Sequence, residues 1–439
     1  MIYLDHAAAT PMTDKAREAM MPYLSELFFN PSAAYLPAKK VKSDYEAAKA
    51  SISRAIGAKA SDLVITAGAT EANNLAFGVL EYIDSRSCCC ACTDSVHTFS
   101  PRADSRSFSQ ADNPETEAEA EAERRGRPSI QTQATKPTSS SSLREILYLE
   151  TEHDSVREVA KKYGGKSIKV LQNGLIDLAD LERKINDNTV LVSVALVNNE
   201  IGTIQPLAEI ASIFKRIKFN RLKRGIKTPL LLHSDASQAL NLLDINVARL
   251  GVDLMTLNAA KVYGPKGIGA LYISRGVKLP PLVSGGGQER GLRAGTENVA
   301  STVSFAAAIT EAKEHIQSNR KKYAKWREIL LSELEDYELI NKKYTLDNFV
   351  VLCYNGLDAE RLIYLLEDYG VYVSTGAACA ASKGKKSHVL KAIGLSDSEI
   401  NGSLRLTFGE TNTTGQIVEV AKILNSVTKA ERKRIKNEQ

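Results

Sequence analysis

Short apolar runs alternate along this chain with stretches whose apolar residues recur at helical spacing. Leu63-Val64-Ile65-Thr66, Ile146-Leu147-Tyr148-Leu149, 190–197, 230–234 and Val252-Asp253-Leu254-Met255-Thr256-Leu257 read as strands, as does 168–171. Between them the residues 14–27, 38–56, 70–83, 178–185 and 207–222 have helical periodicity, and Gly57 stops the second of these. Alternation from 146 to 273 predicts a mostly parallel sheet with helices on both faces. A helical stretch from about 298 to 334 leads to strands at 349–354, 371–374 and 404–408, which alternate with helices at 359–369, 387–393 and 415–429. The fold class expected is therefore α/β, with a large domain on a mostly parallel sheet and a smaller C-terminal α/β domain. The expected division is an N-terminal segment 1–15 packing with the small domain, a large domain 16–275 and a small domain 276–439. The basic run 430–436 reads as a solvated helix end, ahead of a dock for an acidic partner.

The pattern fails once. From 84 to 142 the chain is rich in Ser, Thr, Pro, Arg and Glu and shows no apolar period. Such a tract cannot bury enough apolar surface to offset the cost of ordering it, so a disordered insert in the large domain is expected. Its cluster Cys88-Cys89-Cys90-Ala91-Cys92 invites a metal, but neighbours on one chain do not easily surround a tetrahedral ion. No metal site is expected there. A sequencing or splicing artefact is the other account of the insert.

Composition narrows the classes. With 439 residues, 43% hydrophobic and 25% charged, the chain is an ordinary globular protein, and a net charge of +5 gives little reason to expect nucleic acid as a direct partner. No run is long enough to cross a bilayer and no secretion signal is visible, so a cytoplasmic protein without membrane contact is expected. The six cysteines are not spaced as a disulfide framework.

The chemistry gathers just past strands. Lys261 stands between an apolar run and the turn Gly264-Pro265-Lys266-Gly267. A partly buried amine there loses solvation of its charged form and can serve as the nucleophile for a carbonyl cofactor, although a surface lysine in a connection reads as well from this motif alone. Asp235 ends the strand of Leu231-Leu232-His233-Ser234, where a carboxylate could keep a pyridine nitrogen protonated. Gly68-Ala69-Thr70 opens a helix after a strand, leaving backbone N–H groups for a phosphate. In parallel sheets ligands collect at the carboxyl ends of strands, so His153, Asn199, Asp235 and Lys261 could share one pocket. Arg405 lies on the apolar strand Leu404-Arg405-Leu406, where an unpaired guanidinium is costly; a clamp on a substrate carboxylate is favoured over a structural ion pair. Cys379 sits among small residues beside Lys383, Lys385 and Lys386, whose charge favours thiolate, whereas Cys353 in an apolar strand reads as inert.

Taken together, Asn30-Pro31-Ser32, Gly68-Ala69-Thr70-Glu71, Asp235, Lys261 and Ser374-Thr375-Gly376-Ala377-Ala378-Cys379 resemble the cysteine desulfurase family, in the class V aminotransferase group of pyridoxal phosphate enzymes. The resemblance covers nearly the whole chain outside the insert. It implies fold-type I architecture and pyridoxal phosphate bound through Lys261. Asp235 would face the ring nitrogen and His153 would stack on the ring and shuttle protons. Ala69 and Thr70 would hold phosphate, Asn199 and Gln238 the phenolic oxygen or the substrate, and Thr296 the phosphate of a homodimer partner. Arg405 and Asn199 would bind the α-carboxylate of L-cysteine, and Cys379 would take the sulfur as a persulfide, releasing alanine. An iron–sulfur scaffold or thio-modification enzyme would accept the sulfur, with Cys379 open as a transient cluster ligand and no other metal. The chain departs from the pattern at four positions. Tyr35 and Ala260 stand where histidine is usual, Asn258 where serine contacts phosphate, and Glu410 where arginine is common; Asn258 can still donate a hydrogen bond and is counted among the cofactor contacts, whereas Ala260 cannot. A selenocysteine lyase, another class V enzyme and a catalytically weak cofactor-binding scaffold are the alternatives. Asp5, His6 and Thr10 match the family's opening motif, but turn chemistry is favoured for Asp5 and Thr10.

Overall fold

Strands form where the apolar runs lie. In the order of the chain, a computed structural model places β1 (Ile2–Tyr3), β2 (Leu63–Thr66), β3 (Glu145–Leu149), β4 (Lys166–Ile168), β5 (Thr189–Ser193), β6 (Leu231–Asp235), β7 (Leu254–Asn258) and β8 (Gly269–Ile273). Five more follow: β9 (Glu338–Leu339), β10 (Phe349–Cys353), β11 (Val371–Tyr372), β12 (Ser374–Thr375) and β13 (Ser403–Thr407). The structure describes residues 1–83, 144–375 and 386–438. The insert 84–142 with its cysteine cluster, and Cys379, lie outside the described residues.

Seven strands make the main sheet in the order β2-β8-β7-β6-β5-β3-β4. Only β8 runs against the others, so the sheet is mostly parallel, as the strand–helix alternation predicts. Both faces are covered. Ile65, Leu147, Leu149, Val192, Leu232 and Met255 point into one core, and their neighbours Val64, Ile146, Tyr148, Leu191, Leu231 and Leu254 into another. That period of two with no polar face is what a doubly covered sheet demands of its strands. Each such side chain contributes roughly 1.5–3 kcal/mol by leaving water.

The second sheet is antiparallel, in the order β12-β13-β10-β9, a direction that the alternation of strands and helices left open. Helix Val299–Glu333 packs on helices Leu36–Ala55, Asp14–Met20 and Thr414–Glu438. The helical pattern at 14–27 forms two helices, Asp14–Met20 and Pro22–Ser25, with Pro22 at the first position of the second, where its missing N–H costs nothing. The run expected as a strand over 168–171 stops at Ile168, after which Val170 bridges Ile176 instead. Helix Thr414–Glu438 continues through the basic run at 430–436.

The first residues tie the sheets' ends together. β1 pairs in parallel with β11, and Leu4 O accepts from Thr407 N at 2.7 Å, which lays the chain's opening along β13. From there residues 5–13 run across to the turn that carries Lys261.

Candidate active site

Six strands of the main sheet share a direction, so the segments that follow β2, β3, β5, β6 and β7 all emerge at one edge. Those segments carry Ala69 and Thr70, His153, Asn199, Asp235 with Gln238, and Lys261.

After β2, Gly68 at φ +146° caps helix Ala69–Phe77 with no side chain, a backbone angle that a residue with a Cβ rarely adopts. The first N–H groups of the helix therefore face outward at its positive end, with Ala69 half-buried and Thr70 exposed. β8 approaches so closely that a Cβ on Gly269 would sit 2.8 Å from the carbonyl carbon of Gly68 and 2.5 Å from Leu257 O. Arg293 pairs with Glu71 in the helix's first turn at 3.2 Å, and Thr296, three residues further along the same loop, is exposed. The same loop is fastened by half-buried Glu289, which accepts from Lys49 Nζ (2.9 Å), Tyr45 Oη (2.5 Å) and Ile65 N (2.6 Å).

Lys261 lies in a short turn after β7. Asn258 Oδ1 accepts from Ala260 N at 3.2 Å, so the side chain that replaces a serine caps this turn. Two residues on, buried Tyr263 takes φ 60°, a costly conformation for a bulky residue, and its hydroxyl accepts from Glu410 N at 2.8 Å. The N-terminal segment locks the other side. Thr10 Oγ1 donates to Ala260 O (3.1 Å) and accepts from Tyr263 N (2.8 Å). Lys261 Nζ donates to Ala7 O at 2.8 Å and also to Ala8 O, and Gln238 Nε2 donates to Ala7 O at 2.9 Å. Thr10, favoured as a turn residue, is thus a strut for the lysine turn.

Asp235, 8% exposed, closes β6. Its Oδ2 accepts from Asn73 Nδ2 (2.9 Å) and its Oδ1 from Ser237 N (2.9 Å). Asn73 Nδ2 also donates to Ser155 Oγ (2.8 Å), which sits 2.9 Å from His153 Nδ1. His153 caps helix Asp154–Lys162 and its ring is exposed at the strand edge. No ion pair engages Asp235 among the described residues, so this nearly buried carboxylate is served by neutral donors alone. A buried anion without a cation fits a site that receives one, such as a protonated pyridine ring. With the uncapped glycine-led helix and the nearby amine, these residues fit pyridoxal phosphate.

Arg405, 3% exposed, reaches the same edge from β13. Its guanidinium pairs with Asp5 Oδ1 at 2.6 Å and donates to Asn199 O at 2.8 Å, while buried Nε has no partner. Asp5, favoured as turn chemistry, is in fact the arginine's counter-ion. The ion pair weighed against a clamp at Arg405 is present, and the orphaned Nε–H leaves donor capacity beside it.

Sequence reasoning passed over several groups. Glu152, with no exposure, directly precedes His153; its Oε1 accepts from Ser193 Oγ (2.8 Å), which in turn lies 2.9 Å from His233 Nδ1. Burial, with the Asp235 carboxylate close by, pushes Glu152 up to about 8, and burial holds His233 well below the usual histidine range. Glu200 is pushed by burial up to about 7 and accepts from Ser387 Oγ at 2.5 Å, while His388 Nε2 meets Glu152 O at 3.0 Å. The signal for Glu152 was present in Thr151-Glu152-His153-Asp154, an acid at the end of an apolar strand. Cys353 is buried and its thiol is pushed up to about 11 by desolvation, as expected for an inert cysteine.

Residues 2–88 and 131–420 match the family model for class-V aminotransferases. The chain is 33% identical to cysteine desulfurase IscS 1 of Archaeoglobus fulgidus, over 97% of each chain. It is 32% identical to cysteine desulfurase IscS of Clostridium botulinum, over 98% of this chain and 95% of that one. Among solved structures, a NifS-like protein superposes with a TM-score of 0.77 at 27% identity, covering 97% of this chain and 98% of that one. SspA in complex with cysteine superposes with a TM-score of 0.70 at 26% identity, covering 93% and 99%. Family model, full-length relatives and fold agree, and the chain belongs to the pyridoxal phosphate-dependent cysteine desulfurase family within the class-V aminotransferases.

Proposed function

We propose that this chain converts L-cysteine to L-alanine and passes the sulfur, carried as a persulfide on Cys379, to an acceptor protein. One observation carries the reading: a half-buried lysine, a nearly buried carboxylate without a cation, a histidine and a buried arginine lie at one edge of the parallel sheet. Pyridoxal phosphate, when bound, supplies an electron sink for the electron pair left at the substrate's α-carbon. The N–H groups of Ala69 and Thr70 would hold its phosphate, and Thr296 would reach the phosphate of the second protomer in a homodimer. Asp235 would stabilise a proton on the ring nitrogen and His153 would stack on the ring. Arg405 and Asn199 grip the α-carboxylate of cysteine. Lys261 Nζ and the His153 ring would take and return the α-proton.

In the sulfur step the thiolate of Cys379 forms an S–S bond to the substrate sulfur as the Cβ–S bond breaks. The electron pair of that bond stays on Cβ, which gains a proton and becomes the methyl group of alanine. Neighbouring Lys383, Lys385 and Lys386 favour the thiolate. The acceptor is an iron–sulfur scaffold or thio-modification protein that takes the terminal sulfur, and Cys379 can hold a cluster iron in passing. No described helix is long and apolar enough to cross a membrane, and the reaction is assigned to the cytoplasm.

The test is direct. Purified protein should carry a yellow visible band that changes on adding cysteine, and should release alanine and sulfide in the presence of a thiol reductant. Cys379→Ser should keep the band and lose sulfide release. No alanine from cysteine would overturn the reading, and alanine from selenocysteine alone would make the protein a lyase of that amino acid.

A further inference from the structure

Asn73 has no exposure, lies on the helix whose first turn forms the phosphate cradle, and plays no part in the reaction as derived above. Its amide nitrogen donates both of its hydrogens, one to Asp235 Oδ2 at 2.9 Å and one to Ser155 Oγ at 2.8 Å. Its amide oxygen is buried without a partner. An orphaned buried carbonyl is an unfavourable arrangement, and turning the amide over would be worse, because its oxygen would then face a carboxylate. The charge on Asp235 therefore fixes the amide, and the amide fixes what lies beyond it. Since Ser155 Oγ receives a hydrogen from Asn73, its own hydrogen is free for His153 Nδ1, 2.9 Å away, and Nδ1 also accepts from Ser155 N at 3.1 Å. His153 Nδ1 is thus committed as an acceptor, and the hydrogen of the neutral imidazole belongs on Nε2.

We infer that Asn73 is the positioning residue of this site, one amide that holds Asp235 as an oriented carboxylate and, by turning the Ser155 hydroxyl toward Nδ1, adds a second donor to the backbone N–H that keeps the His153 hydrogen on Nε2. The inference rests on the reading of Asp235 and His153 as cofactor contacts. It adds that the helix presenting its end to the phosphate also carries, one turn inward, the group that orders the two residues meant for the ring.

The experiment compares purified, cofactor-loaded wild type with Asn73→Ala and Ser155→Ala. A hydrogen bond to an ionised group accounts for about one order of magnitude, so Asn73→Ala should raise the dissociation constant of pyridoxal phosphate roughly tenfold and move the midpoint of the visible band's pH titration by about one unit. Nitrogen NMR of histidine-labelled protein should place the His153 hydrogen on Nε2 in wild type; in Ser155→Ala the backbone N–H of residue 155 still donates to Nδ1, so the hydrogen should stay on Nε2 while the Nδ1 resonance moves with loss of the hydroxyl donor. Wild-type affinity and titration in folded Asn73→Ala would overturn the inference, as would a wild-type His153 carrying its hydrogen on Nδ1. If Asn73→Ala does not fold, as read by circular dichroism, the wild-type tautomer and the Nδ1 shift in Ser155→Ala decide, and an Nδ1 resonance unmoved by Ser155→Ala would overturn the relay. A wild type that binds no pyridoxal phosphate would instead sink the functional reading itself.

Discussion

At the scale of single residues, Arg405 shows how a charge in the core is made tolerable. Asp5 neutralises one edge of the guanidinium and Asn199 O takes another hydrogen, so the arginine is ordered before any ligand arrives. A lysine at that place has neither the fork nor the fixed plane. Arg405→Lys is expected to raise KM for cysteine about tenfold or more with a smaller change in kcat, which steady-state alanine formation reads; an unchanged KM would remove Arg405 from substrate binding. The residue types around the site were legible in the chain, because Asp235, Lys261 and Arg405 each break an apolar run. Their partners were not. Asp5 lies 400 positions from Arg405, and Asn73 stands within a helix-opening motif where only the fold reveals its contacts with Asp235 and Ser155.

Elements were easier to read than partners, since period and turn residues are local signals. The parallel sheet followed from apolar runs separated by helical spacing, and Gly57, at φ 71°, ends helix Leu36–Ala55 where the pattern placed its stop. The antiparallel second sheet was not legible, because strand direction depends on which chain ends meet in space. The junction of β8 with the cradle is the most exacting contact between elements. A methyl group on Gly269 meets backbone at 2.5 and 2.8 Å, and backbone cannot rotate away as a side chain can. Gly269→Ala should therefore cost about 1–3 kcal/mol by overpacking and weaken pyridoxal phosphate binding. Denaturant unfolding and a cofactor titration measure the two effects, and a variant as stable as wild type would mean that β8 can withdraw from Gly68 without loss.

Over the whole molecule, buried titratable groups set how stability varies with pH. Glu152 and Glu200, raised to about 8 and about 7 from 4.5, hold an extra proton in the folded state above 4.5, so their contribution falls as pH rises through that window. His6 and His388, held by burial to about 4, and His233, lowered likewise, act in the opposite sense: their contribution is complete above 6.5 and is lost as pH falls below it. Three histidines outweigh two carboxyls below 6.5 and none opposes them above it, so these groups place a stability maximum near pH 6.5. Melting temperatures from pH 5 to 8.5 should trace it, and Glu152→Gln should flatten the alkaline side; a monotonic rise through pH 8 would contradict the assignment. The opening residues raise a practical matter of another kind. Because Asp5, Ala7, Ala8 and Thr10 touch the arginine, the lysine and the lysine's turn, trimming the leader by ten residues would disarm the catalyst without removing any group that reacts. An affinity handle is better fused at the other terminus.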